Sequence, residues 1–319
     1  MTTAIFAAPQ SSATVGPMVW LQQRPKIAAA AALVLTQTLL GVWPVVGTVV
    51  LREMPPKVLV GARILLAAPI LILVTRPWRA GMPRRDIWAV LGLGVLGVVL
   101  NQAAFVEGLY RSTPLNGAVI GCLVPAWTLL IATLLGHERP RAQQLLGIAL
   151  AMAGALGMVA VEQFEFGRER LIGNLLLLTS GVLYGGYLAL ARPLLARHGP
   201  SPVMGWLFVG ASVASLPYVL PGVLAQDWQA LSGAAWGGLA YVVLGATVIG
   251  YWVNSFALSK VAASSTAVFA YLQPFITGIA AGQVLDQRPG WHVVAAGALI
   301  FAGIGLVFAG NLLRAARGR

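Results

Sequence analysis

Residues 118–128 read AVIGCLVPAWT, and 149 positions later residues 267–277 read AVFAYLQPFIT. Five of the eleven positions are identical, where composition alone would produce about one match. The register continues beyond the stretch: Arg139-Pro140 aligns with Arg288-Pro289, and Ala153-Gly154 with Ala302-Gly303. The chain therefore reads as a duplicated unit of about half its length. Each copy sets a proline, Pro125 or Pro274, inside an apolar run. The ring removes a backbone donor there and clashes with the preceding turn, so both runs are expected to be interrupted helices.

The composition says where such a duplicated unit can live. With 58% hydrophobic residues, 9% charged residues and a mean hydropathy of +0.82, the chain cannot cover a soluble core with polar surface. An integral membrane protein is the expectation, with the lipid bilayer as its first partner. A net charge of +12 would suggest nucleic acid in a soluble protein, but the basic residues form short clusters between apolar runs and read as a topology signal. The single cysteine, Cys122, lies inside an apolar run, so there is no disulfide framework and no Cys-x-x-Cys pair. Residues 1–26 have no apolar stretch preceded by positive charge, which argues against a cleaved signal peptide and reads as a tail.

Ten apolar segments, each near the roughly 20 residues needed to cross the hydrocarbon core, lie at 27–50, 58–75, 87–108, 114–135 and 143–161 in the first copy, and at 171–191, 202–222, 233–256, 262–284 and 291–312 in the second. The expected organisation is a tail at 1–26, a five-helix repeat at 27–163, a second at 171–313, and a tail at 314–319. Counting Lys and Arg in alternate loops gives fourteen on one side and six on the other. Positive residues in short loops stay on the cytoplasmic side, so both termini are expected there. Five is odd, so the second repeat crosses in the opposite sense to the first. Inverted repeats of this kind are common in secondary transporters, whose sites lie near the midplane between copies and often use helices broken at matching positions.

Enzymatic motifs fail one by one. Gly92, Gly94 and Gly97 spell G-x-G-x-x-G but follow no strand, and close helix packing explains them better than dinucleotide binding. Gly117 with Gly121, and Gly181 with Gly185, have the same small-residue spacing and the same packing reading. His137, His198 and His292 lie at segment ends without the spacing that holds a metal. No Ser elbow or Ser–His arrangement supports hydrolysis. The expectation is a non-enzyme with no cofactor and no metal.

Two ionisable residues fall within segments, and each is costly enough there to be a functional hypothesis. Glu107 precedes Arg111 by four residues, the spacing of an interfacial ion pair, with a substrate-ammonium or proton-carrying role as the alternative. Arg63 follows Lys57 by six residues and can snorkel to the interface or pair structurally, with a role at a site as the alternative. With no other carboxylate inside a segment, a multi-residue proton relay is unsupported.

The uncharged polar and aromatic residues are more numerous. Thr247, Tyr251 and Asn254 share one face of the eighth segment, and Ser180, Tyr184 and Tyr187 a comparable face of the sixth. Asn or Gln in hydrocarbon is expensive without a partner, so Gln37, Asn101, Gln102 and Gln273 should face other helices or a cavity, with interhelical hydrogen bonding the plain alternative. Trp20, Trp78, Trp88, Trp228 and Trp291 suit the interfacial aromatic belt. Trp127 lies two residues after Pro125, and Tyr271 and Gln273 just before Pro274, where a broken helix frees carbonyls. The candidate site lies between the repeats, with Gln37, Trp43, Asn101, Gln102, Trp127, Tyr184, Tyr187, Tyr251, Trp252, Asn254, Tyr271 and Gln273 lining it and Pro125 and Pro274 as helix breaks.

Several stretches resemble a known family. LLGVWPVVG in the first segment, LVGARILLAAPIL with Arg63 in the second, and the proline segments followed by GHERPRAQQLLGIALAMAG and LDQRPGWHVVAAGALIFAG are similar to the EamA type of the drug/metabolite transporter superfamily. The likeness covers nearly the whole chain and implies an all-α membrane fold of ten transmembrane helices in two inverted five-helix repeats. Among members, the chain looks most like bacterial aromatic amino acid exporters. The resemblance implies export of a small organic metabolite of the amino acid class by alternating access, in a bacterial inner membrane. A drug or cation exporter of the same fold is the alternative, and a channel or membrane enzyme the alternative from another class. One departure is that the second copy has Gly186-Tyr187 where the first has Trp43-Pro44. The expected partners are a small-molecule substrate and lipid, not nucleic acid; the oligomeric state is open, a monomer being compatible with the sequence.

Overall fold

A computed structural model describes residues 25–112, 117, 120–159, 168–277, 295 and 297–307. All regular structure among them is helical. The first copy contributes α1 (Pro25–Leu51), α2 (Pro56–Thr75), α3 (Arg84–Arg111), α4 (Val124–Leu134) and α5 (Ala142–Val159). The second contributes α6 (Arg168–His198), α7 (Pro200–Ala225), α8 (Gly233–Lys260), α9 (Ala263–Val268, followed by a 3₁₀ turn at Phe269–Tyr271) and α10 (Gly297–Val307). Six of the described helices are long and apolar enough to cross a membrane; Val124–Leu134, Ala142–Gly154 and Gly297–Val307 are shorter apolar helices. The termini at 1–24 and 308–319, with Trp20, Trp291 and His292, lie outside the described residues.

Runs of Leu, Ala and Val become helices because, away from water, a helix satisfies each backbone N–H and C=O within its own segment. Their ends follow from local chemistry. Pro56 opens α2 where its missing N–H falls among donors that have no intrahelical partner anyway. Gly199, at φ 79°, turns the chain from α6 into α7 in one residue, a conformation that a Cβ would strain. The outward faces stay apolar: Leu73, Leu134 and Leu224 are 68%, 77% and 76% exposed. In water such surface would drive association; in lipid it is the solvated face.

Glycine sets how closely the helices approach. A Cβ at Gly94 would stand 2.2 Å from the Leu207 carbonyl oxygen, and one at Gly210 would stand 2.6 Å from that of Leu91. The backbones of α3 and α7 are therefore in contact, and an alanine at either position would have to push them apart. Gly97 is occupied by the Tyr187 ring, whereas Gly92 has nothing near it. Two of the three glycines of the G-x-G-x-x-G string thus serve packing. Of the other pairs, a Cβ added at Gly185 would stand 3.0 Å from the Thr128 backbone nitrogen, which fits the packing expectation. Gly117 and Gly121 do not fit it. Gly121 has nothing within 4 Å and both face a cavity, because the chain turns at Cys122–Leu123 before another helix can close on them.

Geometry recurs at the sequence offset of 149. In α3 the stretch Val95–Leu100 is wound as a π-helix, and in α8 so is Tyr241–Ile249, which contains its counterpart 244–249. The helical path is interrupted at Cys122–Leu123, just before Pro125 at the start of α4, and at the 3₁₀ turn Phe269–Tyr271 before Pro274. Packing is reciprocal as well: α2 lies on α7 and α4 on α9, while α3 packs on α6 as α8 packs on α1.

Candidate functional site

A cavity of about 180 Å³ lies where α1, α2, α3, α6 and α8 meet the two interrupted segments. Of the residues singled out in the sequence, Trp43, Asn101, Gln102, Tyr184, Tyr251, Asn254, Gln273 and Pro274 line it. The others stand behind the wall. Gln37 is buried and accepts a hydrogen bond from Gln273 Nε2 at 2.6 Å. Tyr187 is fully buried, stacked on Tyr184 with ring centroids 6.1 Å apart. Tyr271 is buried at the α9 turn, Pro125 is buried at the start of α4, and Trp127 near it is half-buried, its ring nitrogen without a hydrogen-bond partner among the described residues. Trp252 packs into the main apolar core.

The polar wall is built by long-range pairing. Asn101 Nδ2 donates to the Ser180 hydroxyl and carbonyl oxygens, both at 2.9 Å, tying α3 to α6. Gln102 Nε2 donates to Asn101 Oδ1 at 3.0 Å and to the Tyr251 hydroxyl at 3.2 Å. Gln102 and Tyr251 are 149 residues apart, so the same position of each copy meets its counterpart directly. The Tyr251 hydroxyl in turn donates to the Gly97 carbonyl oxygen at 3.4 Å, within the π-helical stretch. Asn254 Oδ1 has no hydrogen-bond partner among the described residues. Thr277 donates to the Gly41 carbonyl at 2.6 Å, holding the far side of the α9 break against α1.

Arg63 departs from its expected behaviour. Instead of snorkelling to an interface, its side chain is 2% exposed and lines the cavity. Nε donates to the Thr247 hydroxyl at 2.5 Å and Nη1 to Gln102 Oε1 at 2.6 Å, and the guanidinium lies 5.2 Å from the centre of the Trp43 ring. The reason is register: Arg63 is on the α2 face that meets the π-helical part of α8, where Thr247 turns its hydroxyl inward while donating to the Val242 carbonyl at 2.7 Å. Partners of this kind are scattered over three helices and carry no local signal in the sequence. The signal that was present is the arginine itself, alone in an apolar segment. Glu107 and Arg111 instead form the i, i+4 ion pair, at 2.6 Å, at the end of α3.

The two ends of the bundle are closed differently. The cavity draws on the halves of α1, α3 and α6 nearest Leu51, Arg111 and Arg168, and on Gly250, Tyr251 and Asn254 in the half of α8 nearest Lys260. At the end opposite Leu51, Arg111 and Arg168, polar contacts cross between the copies. The Glu138 carboxylate, just past α4, accepts from the Ser264 backbone N–H at 3.1 Å, from the Ser264 hydroxyl, and from Gln144 Nε2 at 3.3 Å. Gln144 also donates to the Ser264 oxygen at 2.5 Å. His137 Nδ1 lies 3.1 Å from the Ala189 carbonyl oxygen. Asp86 pairs with Arg197 at 3.1 Å and with His198 at 2.6 Å.

Comparison with known proteins follows the same division into halves. Residues 27–160 and 171–309 each match the EamA-like transporter family. An uncharacterized transporter of Archaeoglobus fulgidus is 27% identical over 263 residues, 81% of this chain and 90% of that protein. A protein of Salmonella typhimurium described as a probable amino-acid metabolite efflux pump is 26% identical, over 84% of this chain and 90% of its own. One of Streptantibioticus cattleyicolor, described as a probable terminal-alkyne amino-acid exporter, is 25% identical over 77% and 82%. A solved crystal structure at 19% identity superposes with a TM-score of 0.72, covering 92% of this chain and 99% of that one, which is a likeness of fold. With both halves matched, the chain belongs to the EamA-like transporter family and is a multi-pass membrane protein.

Proposed function

We propose that this protein is a secondary transporter of the bacterial inner membrane that exports small organic metabolites of the amino acid class by alternating access. In this reading ten spans form two inverted five-helix repeats, 27–163 and 171–313, with both termini cytoplasmic. The reciprocal packing of α3 on α6 and α8 on α1, and the recurrence of π-helical and broken segments at one offset, support a two-fold relation between the copies. The observation that carries the transport reading is the cavity itself, walled by both copies, with its α1, α3 and α6 lining weighted toward the end bearing Leu51, Arg111 and Arg168. Basic residues cluster at the other end, which makes that the cytoplasmic side and the cavity outward-facing. The names of the Salmonella and Streptantibioticus relatives support the amino acid class.

Mechanistically, the cycle needs the closed end to open while the open end closes. The Glu138–Ser264–Gln144 cluster joins the copies across the proposed cytoplasmic end, and it must part before a solute can enter from that side. The paired breaks in the proline segments let the half of each segment next to the cavity move without unwinding the whole helix. Entrance counterflow tests this: proteoliposomes containing the full chain and preloaded with an unlabelled amino acid mixture should take up labelled amino acid in a saturable, trans-stimulated manner. Linear flux without trans-stimulation would identify a channel, and no flux for any amino acid would overturn the substrate class.

A further inference from the structure

We infer that Arg63 is the carboxylate-binding residue of the cavity, and that the substrates are small monocarboxylates with an apolar body for which a free ammonium group adds nothing to binding. The inference rests on the transport reading and narrows its substrate class.

Three observations converge on it. First, Arg63 is the only charged residue among the described residues lining the cavity, and it makes no ion pair with any described residue. A guanidinium has five N–H donors; the two hydrogen bonds to Thr247 and Gln102 leave three without a partner among the described residues. Both hydrogen-bond partners are neutral and the Trp43 ring supplies only a cation–π contact, so no anion among the described residues balances the charge. A positive charge in the membrane interior is costly, and a neutral amide at position 63 could also bond a hydroxyl and an amide across the interface. The cost is offset when a bound anion completes the pair, and the planar fork of arginine suits the two oxygens of a carboxylate.

Second, nothing of opposite charge awaits an ammonium group. The five acidic side chains that the structure describes, Glu53, Asp86, Glu107, Glu138 and Asp227, all lie at helix ends or in loops, away from the lining. The cavity offers an ammonium only neutral acceptors, such as the unpartnered Asn254 Oδ1. Those acceptors can take the place of the water around an ammonium, but none of them supplies the opposite charge of an ion pair. A solute bearing only a positive charge would face Arg63 across a low-dielectric space and be repelled.

Third, the remaining wall is apolar and aromatic. Trp43, Phe105, Leu109, Leu177 and Tyr184 surround the space beyond the guanidinium, with Gly117 and Gly121 leaving room between them. Such a wall takes a hydrocarbon or aromatic body.

Three probes with one phenyl body separate the charges: 3-phenylpropionate, L-phenylalanine and phenethylamine. Titrated calorimetrically into the purified full chain, 3-phenylpropionate should bind at least as tightly as L-phenylalanine, and phenethylamine about tenfold more weakly or worse. Arg63→Gln should weaken both carboxylates by about ten- to a hundredfold, the range for a lost charge-assisted hydrogen bond. Arg63→Lys should recover part of that. The charge series on the unaltered protein stands even if a variant fails to fold. Phenethylamine binding as tightly as 3-phenylpropionate, no millimolar binding of 3-phenylpropionate, or folded Arg63→Gln binding carboxylates within twofold of the original would each overturn the inference. Counterflow separates the two readings. Amino acid counterflow indifferent to Arg63→Gln leaves the carrier standing and removes the carboxylate site. Arg63-dependent binding without counterflow upholds the site and removes the carrier.

Discussion

Hydrogen bonds join the copies at both ends of the bundle, but what stands beside them differs. At the end bearing Arg111 and Arg168, small residues leave space: a Cβ at Gly121 would meet nothing within 4 Å, and one at Gly117 only ordinary contacts. At the other end one carboxylate from the first copy gathers three donors from both copies, and Ser264 lies in the first turn of α9. Vacancy is kept by removing side chains, which costs nothing to undo. Closure is held by hydrogen bonds, which must be exchanged for water when the end opens. In the proposed transport cycle, the contrast makes the Glu138 end the natural place for the energetic barrier.

The largest effect is expected from removing the closure. Glu138→Ala deletes the acceptor of three hydrogen bonds, and bonds to charged groups contribute about 1.5–3 kcal/mol each. Spin labels at Arg141 and Lys260, exposed positions near this end on the first and second copies, should then gain a longer-distance population at the expense of the original one. Identical distance distributions in both proteins would mean that the cluster does not hold the end closed. The complementary change fills the vacancy. Gly121→Leu places a side chain in open space, so melting should stay within about 2 °C while counterflow falls several-fold. Undiminished counterflow would show that solutes do not pass this end.

A smaller effect is expected between the ends. Tyr251→Phe loses the hydroxyl that accepts from Gln102 and donates to Gly97, neutral bonds contributing about 0.5–1.5 kcal/mol, so transport should fall by two- to tenfold with the folded amount unchanged. Asn254→Ala should behave alike, because its Oδ1 has no partner to lose among the described residues. A drop in folded protein without a drop in specific rate would assign both residues to packing.

The smallest effect concerns a second inter-copy carboxylate at the vacant end. Glu53 accepts from the Ser232 backbone N–H at 2.8 Å and from its hydroxyl at 2.6 Å, and these bonds hold its carboxyl below the usual carboxylate range. A carboxyl depressed by folding stabilises the protein above its ordinary range, and that contribution is lost as pH falls through the depressed value. Glu53 is solvent-exposed, so screening keeps the effect slight. Glu53→Gln should therefore melt slightly lower than the original protein at pH 7 and converge with it on acidification. A gap that widened at low pH would contradict the assignment.

The sequence made some of this legible and hid the rest for an identifiable reason. The duplication, the membrane setting and the Glu107–Arg111 pair were legible because each rests on local pattern or spacing along one helix. The rotation of each helix was not. In a soluble helix the polar stripe shows which face is outside, but here lipid-facing and protein-facing sides are both apolar, so Tyr187 and Tyr184 read as one face although only Tyr184 reaches the cavity. The same blindness left Arg63 between snorkelling, structural pairing and a site, and made Gly117 and Gly121 residues for packing.

By itself, then, the order of residues determined that this chain is apolar, doubled, and broken twice at one offset, since composition and repetition need no third dimension. Only the tertiary structure decided that Gln102 would meet Tyr251 across 149 residues, that Thr247 and Gln102 would draw Arg63 inward, and that Glu138 would reach Ser264. Those contacts depend on close helix crossings at glycines such as Gly94 and Gly210 and on π-helical stretches that reset which side chains face in. Both are properties of helices packed against each other, not of any helix read alone.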